Sequence, residues 1–305
     1  VPEKSKMPVI KFWRDGAIRD GPPGIEIFAQ HDSWAEYLDD NDTPPELRLE
    51  GNLQDMYNFA AYTSTCLNYL MRTAVGRTIL PVLSNGSVSI NYSSLGNQVA
   101  SRDGEASLNL VAREIYSTGK PGPVTRQVAA RMNIFRFMGE FRRQPKWDLL
   151  TNPGANFPGD LRIDDDSLHA WIVEGRIPMG LGHLQLEQLK LSTISTLDSY
   201  SPRGRGSGSN INFCNRKSFD LNNRRPPAIG LAHELIHAYY SFLGLQCGRD
   251  LDYTTPLFEF KCVGLGRPWS DLSVSENSVR AQWGTVVVPL ADIMNHRQVV
   301  RRNVY

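Results

Sequence analysis

His233-Glu234-Leu235-Ile236-His237 places two imidazoles four residues apart with a carboxylate between them. On a helix, positions four apart lie on one face, so both rings can reach a single metal ion. Glu234 is turned from His233 by about 100°, which suits a base acting on a water that the metal activates. The five residues fit H-E-x-x-H, a pattern with only three fixed positions, so their context decides what they mean. Residues 227–245 supply the helix that the chemistry needs. Pro226 and Pro227 stand where a helix start tolerates proline, and Ala228, Ile229, Leu231, Ala232, Leu235, Ile236 and Ala238 form an apolar body. Gly244 and Gly248 act as stop signals. These residues predict a zinc-dependent hydrolase.

Two histidines leave a tetrahedral Zn2+ in need of one more protein ligand and one open position. Gly at 240 and His at 243 would complete a three-histidine set, but the chain has Tyr240 and Leu243. The remaining donors are Asp250 and Asp252 in the loop after the helix, Glu259, and Glu276. Glu259 is preferred. It lies 22 positions after His237, enough chain for a turn and a returning helix, and it is embedded in the apolar run 255–264. His31, His169, His183 and His296 lack ligand spacing. Cys66, Cys214, Cys247 and Cys262 form no C-x-x-C pair and are expected to be buried free thiols, with a Cys247–Cys262 bridge as the alternative.

The rest of the chain must position this helix. Its 305 residues can bury a large core, and 41% hydrophobic with 21% charged residues is ordinary globular composition. A net charge of +1 gives no argument for nucleic acid or an anionic membrane as partner. No apolar run reaches membrane-spanning length, and the charged N-terminal residues lack an apolar signal core, which leaves targeting by an upstream segment open.

Residues 1–23 read as a flexible, irregular segment broken by Gly16, Gly21, Pro22 and Pro23. Residues 25–29 alternate as a strand, and 32–38 as a short helix. A long helical pattern covers 53–83, with Gly76 as its break or kink. After the turn at 84–86, residues 88–92 form a strand, and 93–106 read as a Gly/Ser/Asn-rich loop. Residues 108–116 and 124–143 are helical, the second with a packing face of Met132, Phe135, Phe137 and Met138. Asp164, Asp165 and Asp166 fit a solvated helix start better than a cation loop. Residues 184–197 look amphipathic, and 199–209 look like a polar, flexible loop. Residues 210–214 alternate as a strand before the metal helix, at a place where zincins put a cleft-edge strand that pairs with extended substrate.

The segment HELIHAYY at 233–240 is similar to the metal helix of NleD-type effector zinc metallopeptidases delivered by bacterial type III secretion, and more distantly to that of clostridial neurotoxin light chains. Residues 259–264 resemble the segment carrying the third zinc ligand in those families. Residues 275–280 resemble an E-N-x-x-R element of the effectors, and Arg302 and Tyr305 match an R-x-x-Y element of the light chains. The resemblance covers about 24–92 and 205–305. It implies an α+β, zincin-like fold with a small mixed sheet, with 24–305 as one catalytic domain and a largely helical insertion at about 95–205. It implies Zn2+ held by His233, His237 and Glu259, with Glu234 as base. Arg302 and Tyr305 would face the oxyanion, and Glu276 would orient His233 or hold Arg302. The implied activity is endopeptidase cleavage of a host intracellular protein after secretion and delivery to the host cytoplasm. A secretion chaperone or a larger toxin carrier would be a partner, or the chain would be a metallopeptidase domain released from a larger secreted protein. A non-catalytic, zinc-stabilised binding module is the competing class.

Overall fold

The computed structural model describes residues 9–30, 59–93, 96–118, 122–131, 198–214, 226–248, 257–265 and 269–283. These form a mixed α+β architecture that divides into two compact units.

The first unit is built on a six-stranded mixed sheet. Its strands are β1 (Val9–Arg14), β2 (Ala17–Arg19), β3 (Ile25–Gln30), β4 (Val88–Tyr92), β5 (Gln98–Ser101) and β6 (Ser209–Phe213), in the order β2-β1-β3-β4-β6-β5. The parallel pairs β3–β4 and β4–β6 need long crossovers. Helices α1 (Phe59–Met71) and α2 (Ala74–Leu83) lie within the first of these. Val88, Ser89 and Ile90 are all buried, as expected of a strand covered on both faces.

Residues 9–19 are not the irregular segment that their breakers predict. They form an antiparallel hairpin in which Arg14 pairs with Ala17. Asp15 and Gly16 both take positive φ, 52° and 88°, the backbone of a two-residue type I′ turn. Gly16 therefore joins two strands instead of ending structure.

The long helical pattern is also divided, at Thr73. The Thr73 hydroxyl caps α2 by accepting from the amide of Gly76 at 2.9 Å. Gly76 is what makes the corner possible, because a Cβ there would meet the Leu70 carbonyl oxygen at 1.8 Å. The expected loop at 93–106 contains β5, whose alternately exposed residues offer little apolar signal, and a short helix α3 (Gly104–Ser107) capped by Asp103.

The metal helix α6 runs Pro227–Phe242 and is buried nearly all round, the pattern of a core helix. It packs on α1, α2, β5, β6 and α8 (Glu276–Gln282). Phe59 of α1 stacks edge-on against Tyr92 at 5.5 Å and tilts against Phe213 at 6.1 Å, closing the core between helix and sheet.

The second unit contains α3, α4 (Leu110–Thr118), α5 (Pro123–Arg131), residues 198–206 and 243–248, α7 (Leu257–Val263) and a 3-10 turn, Trp269–Asp271. Its 198–206 segment is tied down rather than a free loop. The Gly204 amide donates to the Gly244 carbonyl at 2.7 Å, and Gly206 donates to Ala106 at 2.9 Å. Gly244, with φ +62°, has no room for a side chain: a Cβ would stand 2.6 Å from the Gly204 backbone. Cys247 and Cys262 are free and buried, as expected, and the alternative of a bridge between them does not hold. Burial, together with the negative charge of Asp198, pushes the Cys247 thiol well above the usual thiol range.

At the start of α5, Pro123 has no amide to satisfy. The amides of Gly122, Val124 and Thr125 and the Thr125 hydroxyl all donate to the Glu114 carboxylate of α4, at 2.7–3.0 Å. Partial burial pushes the Glu114 carboxyl up, but these four donors outweigh it and hold it below the usual carboxylate range. Its stabilisation is therefore present above the unfolded glutamate pKa of about 4.3 and lost as pH falls through the lowered native value. Glu114→Ala should lower stability by about 1 kcal/mol at pH 7. Urea unfolding midpoints of variant and wild type should converge as pH falls through that lowered value.

Candidate metal centre

His233 and His237 sit one turn apart on the buried face of α6, with exposures of 5% and 2%. Their Nε2 atoms stand 3.1 Å apart, and their ring planes cross at 75°. Two nitrogens bound at about 2.05 Å to one tetrahedral ion are separated by about 3.3 Å, so the pair fits a shared metal with almost no movement. Glu234 lies between them on the same helix and is also buried.

Glu276 opens α8. It is fully buried, and its Oε2 stands 2.7 Å from Nδ1 of His233. Its Oε1 accepts the Nε–H of Arg280 at 2.6 Å. With both oxygens so engaged, Glu276 stands behind His233 and not where the two Nε2 atoms converge. A carboxylate there selects the tautomer protonated at Nδ1 and leaves the Nε2 lone pair for the metal.

Two further contacts seat α8. The Tyr240 hydroxyl of α6 donates to the Val274 carbonyl at 2.6 Å, and Ser275 caps α8 by accepting from the Ser278 amide. Tyr240 was visible in the sequence only as the residue that rules out a third histidine turn. It fixes the entry to the helix that carries Glu276.

Glu259 occupies the first turn of α7 and is half-buried. Cys262, three residues on, is fully buried. Residues three apart share a helix face, so α7 presents a carboxylate and a thiol to one side. His233 and His237 of the first unit and Cys262 of the second are each buried and each offer one atom able to ligate a metal ion. Cys262 went unnoticed as a donor because no second cysteine stands near it in sequence. The signal available was its spacing from Glu259.

The orientation of α7 has its own support, which the sequence did not reveal. Lys261 is buried, with Nζ 2.7 Å from Asp198 and donating to the Leu245 carbonyl at 2.5 Å. Asp198 also accepts from Asn109 at 2.6 Å and from the indole of Trp269 at 2.9 Å. These donors compensate a buried carboxylate that would otherwise be strongly unfavourable.

Asp250, Asp252, Arg302 and Tyr305 lie outside the described residues, as do His31, His169, His183 and His296, the Met132–Met138 packing face and the Asp164-Asp165-Asp166 run. The strand expected to edge a substrate cleft, β6, is paired on both sides, parallel to β4 and antiparallel to β5. Among the described residues the sheet edge on that side is β5. No helix of the described residues is long and apolar enough to cross a membrane.

Replacing Glu276 by Gln keeps its shape but removes the charge facing Arg280 and the strong acceptor behind His233. Zn2+ affinity, measured by chelator competition at constant pH, should fall 10–100-fold, as a rough expectation for a partner of a ligand histidine. The metal-free protein should lose about 3–5 kcal/mol of unfolding free energy, because a buried guanidinium loses its counter-charge.

No family model matches this chain, and neither a curated protein nor a solved structure matches it.

Proposed function

We propose that this chain is a zinc-dependent endopeptidase with a zincin-like fold. The observation that supports this most is the convergence of His233 and His237 at an Nε2 separation of 3.1 Å, with Glu234 between them. His233, His237 and Glu259 are the proposed metal ligands, and Cys262 is the alternative third donor. Bound there, Zn2+ supplies a Lewis acid toward the scissile carbonyl and an acidified water. Glu234 takes a proton from that water and delivers it to the leaving amine. Its burial limits access of competing solvent to the carboxylate. Arg302 and Tyr305, by the light-chain resemblance, donate to the oxygen on which charge develops. An extended substrate segment would find its pairing edge on β5 rather than on β6.

By the same resemblance, the chain is a secreted bacterial effector or a toxin domain acting on a host intracellular protein. A secretion chaperone or larger carrier would accompany it before delivery. The helix residues support peptide hydrolysis and leave the choice of substrate to other parts of the chain.

A second reading is a non-catalytic, metal-stabilised binding module. The buried thiol of Cys262 favours it, since thiolates are common donors in structural zinc sites. If Glu259 and Cys262 both bind, four protein ligands close the shell. If only one binds, a position stays open for water.

Glu234→Gln separates the two classes. Zinc content and thermal midpoint should stay at wild-type levels while cleavage falls by at least 10²-fold, the scale of lost general-base catalysis. The assay is mass-spectrometric mapping of new protein termini in cell lysate exposed to wild type or variant. Equal cleavage by both would remove Glu234 from the mechanism.

Cobalt substitution tests the third donor. With Glu259 as ligand, Co2+ protein shows no thiolate charge-transfer absorption in the near ultraviolet, and Glu259→Ala loses metal. A charge-transfer band that disappears in Cys262→Ser assigns the thiol instead. That band together with metal loss in both variants supports the closed, structural shell.

A further inference from the structure

Arg280 sits one turn after Glu276 on α8, and its side chain is 3% exposed. A guanidinium removed from water to that extent is costly unless its partner geometry is good. Here the partner is one oxygen of a carboxylate whose other oxygen holds Nδ1 of His233. A shared carboxylate thus links a guanidinium one turn further along α8 to an imidazole of α6.

The placement of α8 has other supports. The Tyr240 hydroxyl holds Val274 just before the helix, Ser275 caps its first turn, and Gln282 in its last turn accepts from the Ala74 amide at 2.7 Å. Both ends of α8 are therefore fixed by groups other than Arg280. A free glutamate side chain rotates about three bonds, and a single hydrogen bond to His233 leaves its carboxylate plane undetermined. The Nε–H of Arg280 supplies a second point, and its planar fork resists twisting in a way an ammonium does not.

We propose that Arg280 is a positioning residue for the metal site. It holds the Glu276 carboxylate in the plane that keeps His233 protonated at Nδ1 and aims Nε2 toward the ion. This rests on reading the His233–His237 pair as a metal site. The effect of Arg280 on the metal site is exerted through Glu276.

The test uses the full chain with Arg280→Met, Arg280→Lys, Glu276→Gln and the Glu276→Gln/Arg280→Met double variant. Histidine ¹⁵N NMR of metal-free protein reads the His233 tautomer, and chelator competition reads Zn2+ affinity. Wild type should show Nδ1–H at His233. Arg280→Met should give a mixed tautomer and an affinity lower by roughly 10–100-fold. Arg280→Lys, which keeps the charge and carries the test if the methionine variant does not fold, should recover only part of both. The double variant should bind Zn2+ no more weakly than Glu276→Gln, because a residue acting through another adds nothing once the other is gone. An unchanged tautomer and affinity in Arg280→Met, full wild-type behaviour of Arg280→Lys, or additive losses in the double variant would each overturn the assignment. If wild type binds no Zn2+, the metal reading fails by itself, and the metal-free tautomer still decides whether Arg280 orients His233.

Discussion

A helix buried on every side cannot carry polar side chains unless each finds a partner, and that constraint organises the first unit. Helix α6 has such groups at His233, Tyr240 and Ser241. His233 is answered by Glu276 of α8, and Tyr240 by the carbonyl of Val274 just before it. The Ser241 hydroxyl meets Ser101 of β5 at 2.8 Å and donates to the Ser207 carbonyl at 3.1 Å. The contacts run to three different segments, so together they fix the rotation of α6 about its axis. Hydrophobic packing alone would tolerate a turn of some degrees, because one apolar face resembles another. Hydrogen bonds at 2.6–3.1 Å do not tolerate it, since a missed partner leaves a buried polar group uncompensated. The polar contacts needed to bury the helix also aim its two imidazoles at one point.

Much of this was legible before any coordinates, and the reason is periodicity. The strands expected at 25–29, 88–92 and 210–214 alternate with period 2, while the 227–242 helix shows as an apolar run between Pro226-Pro227 and Gly244. What escaped detection is informative. The hairpin at 9–19 was hidden because Gly16 reads equally as a breaker and as the positive-φ residue of a tight turn. The Asp15-Gly16 pair between alternating residues was the better signal. Strand β5 lies at the sheet edge with half its residues exposed, so burial imposes little pattern on it. The division at Thr73 depends on a cap and a close backbone crossing, and only Gly76 hinted at it.

The site divides in the same way. The ligand pair is local, four residues apart, and its geometry follows from helix spacing. The Glu276–His233 contact joins residues 43 apart and was reachable only through resemblance. Arg280 was findable, because Glu-x-x-x-Arg on a helix is a favoured pair, although nothing local shows that both would be buried. Asp198 could not be found from sequence. Its role beneath α7 exists only when Asn109, Lys261 and Trp269 are brought round it.

The coordination number ties these observations to function. Two histidines are common to catalytic and structural zinc, so they do not choose between them. Glu234 matters only if a water can stand beside the metal, which requires an open position. Helix α7 carries two potential donors three residues apart, a half-buried carboxylate and a fully buried thiol. A shell taking one of them leaves Glu234 a proton to move; a shell taking both makes Glu234 chemically idle.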